Sequence, residues 1–340
     1  MNQPLFKIRE EGKFGFMNAS GEVVIEPQFP AVEDFYNGFA RVQLFDHIYQ
    51  LDFLGRLLLR HTFSYVGYFE ENLCRVRLVR RWGYMDTRGR LAIPIRFQDA
   101  GDFSEGVAPV KALGFYGFID QWGNEVIDCK FDWAGEFSEG LAPVKVRQQA
   151  GYINRDGELV ILPRYDDAQP FQGPVAVVIQ DGKWGLIDKA GEEIAAPRFD
   201  LIEGYTNGEF FEGMAVVVEN GKYGFIDQEG NLVVPPQFDF AGDFGSGLAL
   251  VEQDGLFGYI DKTGAWRIPP RFEDAGVFSE GLAQVKKGGL WGFMDTEGRI
   301  VIAPRFQEVL PFKNGLAWCV EQPGKWQYID EWGDVVWVEA

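Results

Sequence analysis

Trp291-Gly292-Phe293-Met294-Asp295-Thr296-Glu297-Gly298 is the stretch on which the reading of this chain turns. An aromatic residue, a glycine, an aromatic, an aliphatic and an aspartate are followed three residues on by a second glycine. The same order stands at Trp82-Gly83-Tyr84-Met85-Asp86 with Gly89. Its first residue recurs as ten anchors: Phe14, Ile48, Trp82, Tyr116, Ala150, Trp184, Tyr223, Phe257, Trp291 and Trp326. The spacings are 34, 34, 34, 34, 34, 39, 34, 34 and 35. Two further signals keep the same phase, Pro-x-Phe as in Pro197-Arg198-Phe199, and Phe-Ser-Glu-Gly-Leu-Ala from Phe137 to Ala142. Three motifs at one period define a tandem repeat, and stacked repeats share a continuous core. Residues 1–340 are therefore read as a single repeat domain, although length alone would suggest two.

Each unit predicts three short strands and a longer connection. Ahead of the anchor lies Ala-x-Val, as in Ala142-Pro143-Val144, whose alternation sends Ala and Val to one face. The anchor forms the second strand. Asp295 to Gly298 predicts a hairpin turn in which the carboxylate binds backbone amides and Gly supplies a positive φ. A third strand follows, as in Asn231-Leu232-Val233-Val234, until proline ends the pairing. The connection carries two Phe, such as Phe272 and Phe278, expected to plug the space between neighbouring meanders. Propellers usually have roughly four to eight blades of four strands, which ten three-stranded units fit poorly. The chain ends also keep unit phase: Phe6-Lys7-Ile8 fills the Ala-x-Val slot and Val335-Val336-Trp337-Val338 is a third strand, so none is left over to lock a ring. The expectation is an all-β tandem array of ten three-stranded meanders in an open, superhelical, solenoid-like stack, with a closed propeller-like ring as the alternative.

Composition bounds the function. With 46% hydrophobic and 15% aromatic residues the chain is too apolar for disorder. A net charge of −19 repels phosphate backbones and anionic lipid heads, so neither nucleic acid nor membrane is expected as a partner. The N-terminus has no basic region leading into an apolar run, and nowhere do 18 apolar residues follow one another, so the expectation is a soluble, cytoplasmic and monomeric protein. Cys74, Cys129 and Cys319 have neither metal-ligand nor disulfide spacing and are read as small buried hydrophobes. His47 and His61, both in the irregular second unit, are the only histidines, which leaves acid-base and nucleophilic catalysis poorly supplied. The glycines belong to the repeat, so no phosphate loop is present, and nothing asks for a cofactor or a metal. Asp120, Asp188, Asp227, Asp261 and Asp295 give one carboxylate per unit, which suits a turn and not a calcium site. The anchors read as core fillers, and Glu105, Glu139 and Glu280 as solvated turn residues.

Binding is sought where the repeat leaves residues free. The middle residue of Ala-x-Val, opposite the core face, reads Arg41, Arg75, Pro109, Pro143, Val177, Val216, Leu250, Gln284 and Trp318. Such a variable column on a fixed frame is how repeat proteins build recognition surfaces, with a second buried face as the competing reading. At the hairpin tip, the residue before Gly is usually polar or small, yet is Leu54, Trp122 and Trp332 in three units. A third candidate is the insertion in the sixth unit, Glu203 to Phe211, with Tyr205 and Phe210.

With these motifs in view the chain resembles the bacterial WG-repeat family, also called KWG repeats. Lys183-Trp184-Gly185-Leu186-Ile187-Asp188 and Leu290-Trp291-Gly292-Phe293-Met294-Asp295 carry the signature, and Gly221-Lys222-Tyr223-Gly224-Phe225-Ile226-Asp227 is a close variant. The resemblance implies a bacterial protein of β-hairpin repeats, from a family without a common enzymatic activity that is supposed to mediate interactions. It carries over no site residues. The second unit departs most, since Ile48-Tyr49-Gln50-Leu51-Asp52 lacks the glycine and His61 replaces the proline. The expected function is a non-enzymatic scaffold for protein–protein interaction, with a glycan- or peptidoglycan-binding module using exposed aromatics as the alternative.

Overall fold

The computed structural model describes residues 3–45, 47–58, 63–202 and 207–339. Those residues form no helix; they build ten small antiparallel sheets, eight of four strands and two of three. The chain divides into two compact units. One comprises Met1–Asn18, Glu22–Asp181 and Ile187–Glu192, the other Ala19–Gly21, Gly182–Leu186 and Glu193–Ala340.

The expected three strands are joined by a fourth. In the fourth sheet Asp99–Ala100 pairs with Val107–Ala112, which pairs with Phe115–Asp120 and then Glu125–Phe131. Asp274–Ala275 repeats this on Leu282–Lys287 in the ninth. Two residues are too few for an alternating pattern to register, which is why the connection hid a strand.

The glycine after each anchor has a steric cause. Between Tyr116 and Phe118 the register with the third strand shifts, and that strand bulges over Gly117. A Cβ on Gly117 would sit 2.4 Å from the Ile127 carbonyl oxygen, so only bare backbone fits. In the second sheet Tyr49 holds this slot, and the described pairing is confined to Gln50 with Leu58 and Leu51 with Leu57, without a register shift.

The fourth sheet is sandwiched. Consecutive side chains point to opposite faces of a strand, yet Phe118 and Ile119 are both buried. Phe118 packs with Phe131, Phe137, Ala142 and Val144 of one core layer, and Ile119 with Tyr84, Phe97, Phe103 and Ala108 of another. Phe137 meets Phe118 edge-on at 4.9 Å, and Phe103 meets Tyr84 in the same way. The connection phenylalanines plug the gap between sheets, as expected.

The hairpin glycine has two roles. Gly298 sits at φ +82°, and its N–H donates to the Asp295 carbonyl at 3.0 Å. Asp295 Oδ1 accepts from the amides of Glu297 and Arg299. The glycine also faces the third strand of the preceding sheet: a Cβ there would lie 3.3 Å from Ile268. Gly264 faces Val234 likewise, Gly157 faces Ile127, and Gly55 faces Ile25. The contact recurs between Gly21, in the first sheet's turn, and Val336, in the last strand of the tenth. An open stack would leave Val336 uncovered.

The expected open, superhelical stack is therefore corrected. The succession of sheets closes, as in the alternative, and the fold class is a β-propeller of ten blades. Among the described residues the first and tenth sheets are built from their own strands. Closure needs no exchanged strand when a turn packs on a strand, as Gly21 does on Val336.

Gly298→Val would place a β-branched residue at positive φ and press it on Ile268, costing about 1–3 kcal/mol. Because each repeat packs mainly on its neighbours, hydrogen exchange should reveal faster exchange in the eighth and ninth sheets. Uniform deprotection throughout the chain would contradict this.

Candidate interaction surfaces

Most of the variable column belongs to the frame. Pro109, Pro143, Val177, Val216, Leu250 and Gln284 are buried, because each sheet has a neighbour on its second face. Leu250 lies in a core layer with Tyr259 and Phe278, which corrects its reading as a binding residue. Arg41 grips Glu33 through two hydrogen bonds of 2.6 Å and reaches the Val66 carbonyl and Tyr68 in the next unit. Arg75 donates to the Ala100 carbonyl and stands 3.1 Å from Asp102 Oδ1, close as an ion pair though not aligned as a hydrogen bond. Both arginines tie neighbouring sheets together. Trp318 is half-buried with its ring edge-on to Trp326 at 5.5 Å.

Burial pushes the Asp102 carboxyl up to about 6; Arg75 pulls it down, while Glu136 and Glu70 add to the rise. The glutamates of the Phe-Ser-Glu-Gly turns also differ from expectation. They are clasps between units, not merely solvated. Glu280 accepts the amides of Asn314 and Gly315 at 2.6 and 2.8 Å, and Glu71 accepts that of Gly106 at 2.8 Å. The preceding serine helps: Ser104 Oγ donates to the Phe137 carbonyl at 2.6 Å. For Glu139 the corresponding next-unit residue is Pro174, which has no N–H, and the carboxylate pairs with Lys189 at 3.0 Å. Contacts some 35 residues apart leave no local pattern for sequence reading to find.

The turn aspartates are occupied as expected. Asp120 Oδ1 accepts the amides of Trp122 and Asn124, and the Thr263 hydroxyl with turn amides holds Asp261 below the usual carboxylate range. Among the described residues no three His, Cys, Asp or Glu are placed to hold a metal ion. Cys74 and Cys319 are buried, whereas Cys129 is only half-buried. Of the anchors, Ala150 and Trp184 are fully buried, but most others are half-buried. Tyr116 and Trp291 pack against core layers and lie under the ammonium groups of their cross-strand partners Lys111 and Lys286. The deepest side chains stand two and three places further on, as Phe293 and Met294 do.

All three tip candidates are open to solvent. Trp122 is 79%, Leu54 73% and Trp332 72% exposed. Tyr205 and His61 lie outside the described residues, and Phe210 is half-buried.

Sequence reading missed a second set of tips, on the hairpin between the Ala-x-Val strand and the anchor. Phe45, Val79 and Leu113 stand there in consecutive units, 86%, 80% and 95% exposed, at φ of 54°, 58° and 52°. The signal was their 34-residue spacing in a slot that elsewhere holds Glu11, Arg147, Asp181, Asn220, Asp254 or Gly288.

Compared with known proteins, the sequence matches the family model described as WG containing repeat over residues 14–44, 82–114, 116–148, 151–184, 184–223, 223–257, 257–291 and 291–326. These stretches make up more than half of the chain and omit the irregular second unit. No curated protein matches. Among solved structures, that described as the crystal structure of the eukaryotic initiation factor is similar with a TM-score of 0.54 at 12% identity, covering 99% of this chain and 96% of that one. BamB from Moraxella catarrhalis is similar with a TM-score of 0.39 at 13% identity, covering 81% of this chain and 96% of that one. At such identities the first likeness bears on the fold alone.

The raised Asp102 carboxyl sets a pH dependence. The folded state holds this proton more tightly than the unfolded chain, so the associated stability is present below about pH 4 and is lost as pH rises through about 6. The difference in unfolding free energy between the parent and Asp102→Asn should therefore change by roughly 2–3 kcal/mol across that window. Urea denaturation at a series of pH values measures it, and a difference constant with pH would refute it.

Proposed function

The chain belongs to the family of WG containing repeats, and from that premise we propose that it is a non-enzymatic scaffold for protein–protein interaction. The observation that carries the reading is the pair of indoles at turn tips, Trp122 and Trp332, each more than two-thirds exposed. The backbone beneath each is fixed without help from the ring, since Asp120 and Asp330 take the tryptophan amides and those two residues on. A large aromatic side chain on a rigid turn binds with little ordering cost, which is why Trp is common among residues that dominate interfaces. The repeated residues favour the same reading, because Ala-x-Val, the paired Phe, the turn Asp and the Glu clasps are all engaged in building the frame. The net charge of −19 favours a protein over nucleic acid as the partner.

Immobilised full-length protein should capture a partner from cell extract, and Trp122→Ala or Trp332→Ala should weaken that capture by about tenfold or more. The unfolding midpoint should stay put, since truncating an exposed ring removes little burial. Undiminished capture by both variants would overturn the proposal. So would displacement of the captured material by free oligosaccharide, which would favour a glycan-binding role for the same indoles.

A further inference from the structure

We propose that the hairpins carrying Phe45, Val79 and Leu113 form a second docking edge, for a segment of a partner protein that sets carboxylates beside large apolar side chains. It rests on the scaffold reading only in taking a protein as the partner.

The first ground is conformational. All three residues occupy the left-handed region, where Gly, Asn and Asp are favoured and β-branched or bulky residues are outliers. Four equivalent hairpins satisfy this preference with Asp181, Asn220, Asp254 and Gly288, and two more hold the polar Glu11 and Arg147. Three consecutive units instead place Val, Leu and Phe there, and the side chains gain no burial in return. Local stability selects against that choice, so a contact outside the chain is its rationale. Leu78 and Phe115, 43% and 46% exposed, extend the apolar surface along the strands. Strands of the same sense lead to each hairpin in successive packed sheets, so the three tips emerge on one side.

The second ground is charge. Residues 51–100 contain nine Arg against five Asp or Glu, in a chain whose net charge is −19. Several of these arginines are neutralised: Arg56 by Asp52, Arg90 by Asp86 and Arg75 by Asp102. Arg77, Arg80 and Arg81 flank Val79, and among the described residues none has a carboxylate within ion-pair distance. Arg77 lies over the Trp82 ring at 5.2 Å, and Arg81 reaches only the Arg96 carbonyl, at 3.3 Å. Guanidinium groups grip carboxylates in a planar, bidentate manner. An acidic and apolar segment meets both features.

A flat anionic membrane fits less well. Within the same compact unit the equivalent hairpins carry Glu11, Arg147 and Asp181, so such a surface would also meet two carboxylates against one guanidinium. A narrow segment spans the three apolar tips alone.

The test selects a displayed library of random peptides on the immobilised full chain, then measures binding of the enriched peptides to variants by fluorescence polarisation. The variant F45N/V79N/L113N removes the apolar tips while placing Asn where the left-handed backbone favours it, so its unfolding midpoint should not fall. A second variant, R77S/R80S/R81S, removes the charge. Enrichment of peptides rich in Asp or Glu with Phe, Leu or Trp is expected, with binding weakened about tenfold or more in either variant and by high salt. Trp122→Ala and Trp332→Ala should bind these peptides normally, so failure here and failure of the indole tips are separable. No enrichment, enrichment without acidic bias, or equal binding by both variants overturns the proposal. Sedimentation of the chain with phosphatidylglycerol vesicles that depends on Val79, without peptide selection, also overturns it.

Discussion

The structure depends on the contact between a turn glycine and an aliphatic side chain of the preceding sheet, as between Gly298 and Ile268 or Gly157 and Ile127. A three- or four-stranded meander cannot bury two apolar faces alone; each must be covered by a neighbour. The glycine allows close approach because it has no Cβ, and it tolerates the positive φ that tightens the turn. One residue thus fixes both the hairpin and the distance to the next sheet. With Gly21 against Val336, the tenth sheet obtains the cover that the others have.

From that constraint follows the division of labour among side chains. Because both sheet faces are covered, a residue such as Leu250 becomes core although alternation assigns it to the far side from Val251. Arginines in that column survive by pairing at the seam, Arg41 with Glu33 and Arg75 with Asp102. The second unit shows the same logic in altered form. Gln50 occupies the place of the buried aromatic Tyr84, and its amide donates to the Gly67 carbonyl as the Tyr84 hydroxyl donates to that of Gly101. A polar side chain is tolerated because the inter-sheet hydrogen bond is kept.

What the frame does not need is confined to hairpin tips. Tips of one kind carry single indoles on turns braced by an aspartate; tips of the other kind carry Phe, Val and Leu in a conformation that suits none of them. A rigid array that leaves variation to its turns can change partners without changing its core. The arginines around Val79 give the second set of tips a local charge opposite to that of the chain as a whole.

The periodic motifs by themselves determined the all-β repeat, the ten units and the role of the turn Asp and Gly, because each is a local requirement of hairpin geometry written within eight residues. The paired Phe were legible for the same reason: an apolar ring that recurs at one phase has to be buried. Trp122 and Trp332 were found as departures from a polar slot, but Phe45, Val79 and Leu113 were not, since nothing in a single hairpin marks a valine as left-handed. Tertiary structure alone decided the rest. The two-residue strand at Asp99 is specified by its neighbour and not by its own pattern, and the grip of Glu280 on Gly315 joins residues distant in sequence. Whether the array closes depends on small rotations summed over ten sheets, and no residue encodes that sum until Gly21 meets Val336.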